Sequence, residues 1–148
     1  MEYLSIILTE AKAEIEAEYG TDQKLGITLS QGFYFEVFGE NYMLILETKQ
    51  KQTTVKITNN SELIYSRTFK ATQTMTDVLE QLDRDIIIYT AVESIQRGWQ
   101  SELTESGSII DFKDYKEYIT EIRQKVAELG IRATIEATFS GLQYTYNR

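Results

Sequence analysis

The sequence predicts an α+β fold: an N-terminal helix, an antiparallel β-meander of four to five strands, two helices and a C-terminal strand or hairpin, as a single domain over residues 1–148. Three observations carry this prediction. The spacing of apolar residues runs at three to four, switches to two, returns to three to four and ends at two. Gly and Asn residues mark the places where the period breaks. Apolar residues make up 42% of the chain and charged residues 26%, which suits a packed core in one domain of ordinary size.

The first element is a helix over residues 2–19. Leu4, Ile7, Leu8, Ala11 and Ile15 form one apolar stripe, and Glu10, Glu14 and Glu18 form a separate acidic one. Gly20 is a stop signal just beyond it. From residue 25 to 69 the period becomes two. Ile27 and Leu29 alternate with polar neighbours, and Gln31-Gly32 offers a turn. Phe33, Phe35 and Val37 share a strand face, and Gly39-Glu40-Asn41 makes the next turn. Tyr42 to Glu47 is so apolar that it reads as a central strand covered on both faces. Lys49 to Gln52 connects it to a strand with Val55 and Ile57 on one side. Asn59-Asn60 suits a tight hairpin turn, and the last strand shows Leu63, Tyr65, Arg67 and Phe69 on one face.

Helical spacing returns over residues 76–98. Asp77 and Glu80 suggest a capping-box-like start, Val78, Leu79, Leu82, Ile86, Tyr89, Val92 and Ile95 make the buried stripe, and Gly98-Trp99 ends it. Residues 100–110 read as a polar loop. Asp111 is placed to cap a third helix on which Phe112, Tyr115, Ile119, Ile122, Val126 and Leu129 recur at helical spacing, with Gly130 closing it. Residues 131–147 read as one or two strands with a turn at Ser140-Gly141. The order suggests one antiparallel sheet with helices packed on it.

Composition excludes several chemistries. The chain has no Cys, no His and no Pro. Disulfides, thiolate zinc sites, serine triads and cysteine nucleophiles are therefore ruled out, and the usual general base near neutral pH is missing. There is no Gly-rich phosphate loop. Asp83 and Asp85 are the closest acid pair, but at i and i+2 on a helix they point to different sides. The expectations are no catalytic residue, no metal, no cofactor, and a non-enzymatic protein. The first twenty residues carry five Glu against one Lys, the opposite of a signal peptide, and no apolar run approaches the length of a membrane span. A cytoplasmic protein without membrane contact is expected.

Net charge is −8 and uneven: residues 1–50 hold nine acids and three bases, residues 51–100 six of each, and residues 101–148 eight acids and six bases. Direct binding to nucleic acid is disfavoured, because phosphate contacts need clustered Lys and Arg. A basic protein surface is the natural complement. The candidate partner-binding residues are Trp99 with Glu102, Glu105, Asp111, Asp114, Glu117 and Glu121, which only Lys113 and Lys116 offset over residues 99–122. Carboxylates spaced on a firm frame can imitate phosphates along a nucleic acid strand and occupy clefts lined by Arg and Lys. Glu10, Glu14 and Glu18 are a secondary acidic face. Both groups also fit the plainer reading of solvated surface, with Trp99 and Tyr115 in the core.

Gly98-Trp99-Gln100-Ser101-Glu102, a short polar loop, then Asp111-Phe112-Lys113-Asp114-Tyr115-Lys116-Glu117-Tyr118 resembles the C-terminal part of small acidic type II-A anti-CRISPR proteins, encoded by phages and prophages. The resemblance covers about twenty-five residues, and the order of helix, strands, helix and helix is similar too. It implies an inhibitor of an RNA-guided CRISPR nuclease in a bacterial host cell, one that mimics the DNA held by the PAM-reading site. Two alternatives share the same charge logic or composition. One is an immunity or antitoxin-like protein neutralising a basic toxin. The other is a structural protein that self-associates through Tyr- and Phe-rich strand edges.

Overall fold

Leu4, Ile7, Leu8, Ala11 and Ile15 recur every three to four residues, and all five are buried along helix α1 (Leu4–Tyr19). The computed structural model describes residues 3–19, 28–49, 52–70, 74–110 and 115–148. The stop at Gly20, the cap at Asp111, the helical position of Phe112 and the middle of the Lys49–Gln52 connection lie outside them. After α1 come strands β1 (Thr28–Val37), β2 (Glu40–Lys49), β3 (Gln52–Asn59) and β4 (Glu62–Lys70), then helix α2 (Met75–Gln100). Strand β5 (Ser106–Ile110), helix α3 (Tyr115–Glu128) and strands β6 (Ala133–Thr138) and β7 (Gly141–Tyr146) complete the chain. This is the predicted α+β class: an N-terminal helix, a four-stranded antiparallel sheet, helices and a C-terminal hairpin.

Packing divides the chain into two compact units, residues 3–86 and 87–148. In the first, β1-β2-β3-β4 form an antiparallel meander in sequence order. Phe35, Val37, Tyr42, Leu44, Leu46, Val55, Ile57, Tyr65 and Phe69 make its buried rows, and α1 and the start of α2 supply the matching apolar stripes. The alternation along β2 is strict. Tyr42, Leu44, Leu46 and Thr48 are buried, while Met43, Ile45 and Glu47 are only half-buried, so the second face of this strand is less covered than its apolar run suggests. In the second unit β5-β7-β6 form a separate three-stranded sheet. Its core joins Ile88, Ala91, Val92 and Ile95 of α2 to Ile122 and Val126 of α3 and to Ile135, Leu142, Tyr144 and Tyr146 of the sheet.

Several local expectations are corrected. The described strands form two sheets, not one. Residues 106–110 are a strand, because Ser106 to Ile110 pair with Thr145 to Gly141. No turn breaks the chain at Gln31-Gly32: β1 runs through it, pairing Gln31 with Leu46 and Gly32 with Ile45. Two hairpin turns sit one residue away from the predicted places. They are Phe38-Gly39 (φ 53° and 77°) and Asn60-Ser61 (φ 49° and 68°). Positive φ at both central residues is the twist that matches a two-residue hairpin, and it decides the position over composition. Helix α2 begins one turn earlier than Asp77 suggests. The Asp77 amide donates to Thr74 Oγ1 (3.4 Å) and the Thr74 amide to Asp77 Oδ2 (2.9 Å), a capping box with Thr74 as N-cap. The helix also continues through Gly98-Trp99 to Gln100. Leu129 lies past the end of α3 and is exposed.

Candidate protein-binding site

Three features of the second unit brace the segment that follows α2. First, Tyr146 of β7 lies against the last turns of that helix, its hydroxyl donating to the Ile95 carbonyl at 2.5 Å. A Cβ on Gly98 would overlap the Tyr146 hydroxyl and lie 3.1 Å from its ring carbon, so a glycine at 98 is what lets the phenol approach. Burial pushes this phenol up to about 12, Tyr144 adds to the shift, and Arg148 opposes it. Second, Arg148 Nη2 donates to the carbonyls of Gly98, Trp99, Ser101 and Thr104 at 3.0–3.2 Å. A cation there satisfies helix-terminal carbonyls and complements the helix dipole. The guanidinium also lies over the Trp99 ring (4.6 Å) and the Tyr146 ring (5.1 Å). Third, the Thr104 amide donates to the Ser101 carbonyl (2.9 Å) and the Tyr146 amide to the Glu105 carbonyl (2.9 Å).

The braced segment presents Glu102, Leu103 and Glu105 to solvent, with Leu103 94% exposed. Neither Glu102 nor Glu105 forms an ion pair with a described residue. Trp99, from the same candidate set, is half-buried and stacks edge-on against Tyr146 at 5.6 Å. Its body belongs to the frame beneath the loop.

The other candidate acids are placed apart. Glu117 and Glu121 stand one turn from each other on α3. Glu117 is exposed and Glu121 half-buried, and both have partners within the chain. Arg123 reaches the Ile135 carbonyl (2.6 Å), and α3 leads through Gly130 into the start of β6. The helix therefore runs antiparallel to β6. Glu102 and Glu105 sit at the end of the sheet where β5 and β6 begin, and Glu117 lies near the start of α3, roughly 15 Å from the end of that helix at 1.5 Å per residue. Asp111 and Asp114 lie outside the described residues. In the unit of residues 3–86, Glu10 and Glu14 are half-buried and only Glu18 is exposed.

Sequence reading missed two residues here. Leu103 carried a signal, a lone apolar side chain inside the polar run Ser101-Glu102-Leu103-Thr104-Glu105. Arg148 carried none, because its partners lie 44 to 50 residues away.

Asp83 and Asp85 do point to different sides. Asp83 is exposed and pairs with Lys12 at 2.8 Å. That hydrogen bond raises the Lys12 pKa, its desolvation opposing and the Glu16 carboxylate adding. Asp85 is 1% exposed, accepts the Tyr65 hydroxyl at 2.5 Å and pairs with Arg67 Nε at 3.5 Å. Among the described residues no three carboxylates gather in a metal-binding cluster. An open depression of about 550 Å³ lies on the polar face of the three-stranded sheet, and its lining includes Ser106, Ser108, Thr134, Gln143 and a single carboxylate, Glu136. No described helix is long and apolar enough to cross a membrane. The chain matches no protein-family model, no curated protein and no solved structure.

Proposed function

We propose that this protein is a non-enzymatic inhibitor that works by docking on a cationic surface of another protein, in the cytoplasm of a bacterial host. The observation that carries the reading is the loop after α2: two exposed carboxylates flank a fully exposed Leu103 on a segment held by Arg148 and Tyr146. An apolar centre with a polar, charged rim is the usual anatomy of a protein interface. A braced loop also loses little conformational entropy on binding. Glu117 and Glu121 stand apart from this loop on α3, so the reading rests on Glu102, Leu103 and Glu105. The resemblance around residues 98–122 names the partner class, the PAM-reading cleft of a type II-A RNA-guided nuclease.

The test is a cleavage assay with such a nuclease, with binding measured at low and high salt. Addition of the protein stops cleavage, binding weakens as salt rises, and the Glu102→Lys/Glu105→Lys variant loses inhibition by tenfold or more, about 1.4 kcal/mol. Full inhibition by that double variant would refute the assignment of the loop. Absence of binding to the nuclease at low salt would refute the partner.

A further inference from the structure

Strand β1 is an edge of the four-stranded sheet, and among the described residues no strand pairs with its outer side. Such an edge offers a row of free backbone donors and acceptors to another strand, and proteins usually protect it with Lys, Pro, a bulge or brevity. The opposite edge, β4, carries Glu62, Arg67 and Lys70, and the β3–β4 register shifts at Ile57/Thr58. In the small sheet, the edges β5 and β6 have only five and six residues. At ten residues β1 is the longest edge. It has no Lys, Arg or Pro, and its only charge is Glu36.

We propose that β1 pairs antiparallel with β1 of a second copy of this chain, about a two-fold axis through Phe33. The strand's own pattern selects that register. With Phe33 opposite Phe33, Gly32 of each copy faces Tyr34 of the other. Tyr34 is 73% exposed on the outer face of the sheet. At Gly32 a Cβ would meet Met43 Cε at 2.8 Å, so the flexible thioether side chain of Met43 leans over this exposed glycine. A tyrosine ring opposite Gly32 packs against that thioether, a favourable sulfur–aromatic contact that the flexible methionine can adjust to. The protein already builds this arrangement internally. Gly107 pairs with Tyr144 across β5 and β7, and the ring covers the glycine so closely that a Cβ would meet it at 2.5–2.8 Å.

Competing registers are poorer. Moving the axis to Gly32 or Tyr34 breaks both Gly–Tyr pairs. Moving it by half a step sets Phe33 opposite Tyr34 and mixes the inner and outer faces. In the proposed register Glu36 faces Ser30 rather than its own copy, so no like charges oppose each other. Pairing runs over residues 29–37 of each chain, roughly 30 Å at about 3.4 Å per residue, and ends where Phe38 turns to φ 53°.

The experiment is sedimentation analysis of the full chain over a concentration series, with two variants. The expected mass is twice 17.1 kDa. Tyr34→Lys, at an exposed position, gives the monomer mass with an unchanged far-ultraviolet circular dichroism spectrum. Phe33→Cys puts the only thiol in a cysteine-free chain on the two-fold axis. Directly opposed Cα atoms, about 4.5–5.5 Å apart, are within disulfide reach, so mild oxidation yields a covalent dimer. A wild-type monomer at every concentration would overturn the proposal, as would a species larger than a dimer. A dimer that persists in Tyr34→Lys, or one that Phe33→Cys fails to cross-link, would overturn it as well. Charge reversal at Glu102 and Glu105 leaves the mass unchanged, which keeps this test separate from that of the acidic loop.

Discussion

Replacing Gly98 by Ala adds one methyl to helix α2, and by helix propensity alone this stabilises the protein by about 1 kcal/mol. The structure predicts the opposite. The new Cβ overlaps the Tyr146 hydroxyl, and that ring is 7% exposed and packed among core side chains. Forcing a methyl into such a site costs about 1–3 kcal/mol. Displacing the phenol also gives up its hydrogen bond to the Ile95 carbonyl, about 1 kcal/mol more. The net expectation is a loss of about 1–3 kcal/mol, or roughly 2–12 °C in Tm for a chain of this size. Tyr146→Phe alone loses about 1 kcal/mol. In the double variant the clashing oxygen is gone and the nearest remaining atom is a ring carbon at 3.1 Å. Gly98→Ala should then be close to neutral, and the two changes should be coupled by at least about 1 kcal/mol. Urea unfolding followed by the fluorescence of Trp99, the only tryptophan, measures all four proteins. If Gly98→Ala stabilises the wild-type background, or costs the same with and without the hydroxyl, the packing argument is refuted.

Arg148→Ala should destabilise by about 1 kcal/mol, because it removes the cation from the α2 carbonyls and from the Trp99 face; a red-shifted Trp99 emission would show the uncovering, and an unchanged spectrum would contradict it. Tyr65→Phe leaves the buried Asp85 without its 2.5 Å donor and should cost about 1–3 kcal/mol in thermal unfolding; a neutral change would mean that this bond contributes nothing. The Tyr146 phenol is raised from 10.0 to about 12 in the folded protein. Between those values the unfolded chain has lost the proton and the folded chain keeps it, so the contribution is intact below pH 10 and disappears as pH rises toward 12. Alkaline unfolding should accordingly be less steep in Tyr146→Phe, and an ultraviolet titration of the native protein should show a late-ionising tyrosine. Lys12, raised by Asp83, should add to the same alkaline loss; Lys12→Met would remove that part, and an unaltered stability curve above pH 10.5 would disprove the link.

Much of the fold was legible because it is written in local periodicity. Leu4, Ile7, Leu8, Ala11 and Ile15, Phe35 and Val37, Leu82, Val92 and Ile95, and Ile122 and Val126 took the buried positions their spacing assigns, whereas Ile86 and Tyr89 are only half-buried and Ile88 and Ala91 are buried between them and Val92. Strand β5 was not legible, since Ser-Gly-Ser-Ile-Ile has no alternation and is a strand only because β7 lies beside it. The hairpin turns moved by a residue because the twist of paired strands, more than turn composition, decides which two residues take positive φ. In the candidate site, Glu102 and Glu105 were visible as charges. The brace under them was not, because it is a set of contacts between residues far apart in the chain.

The amino-acid sequence by itself determined the class of the fold, the order of its elements, the buried stripes and the acidic balance, since each depends on neighbours a few residues away. The tertiary structure alone decided that there are two sheets, that Tyr146 and Arg148 close over the end of α2, and that Leu103 stands out between two acids. It also decided that, among the described residues, no strand pairs with the outer side of β1. Those outcomes depend on which distant segments meet, and local spacing carries no record of a partner 40 or 50 residues away.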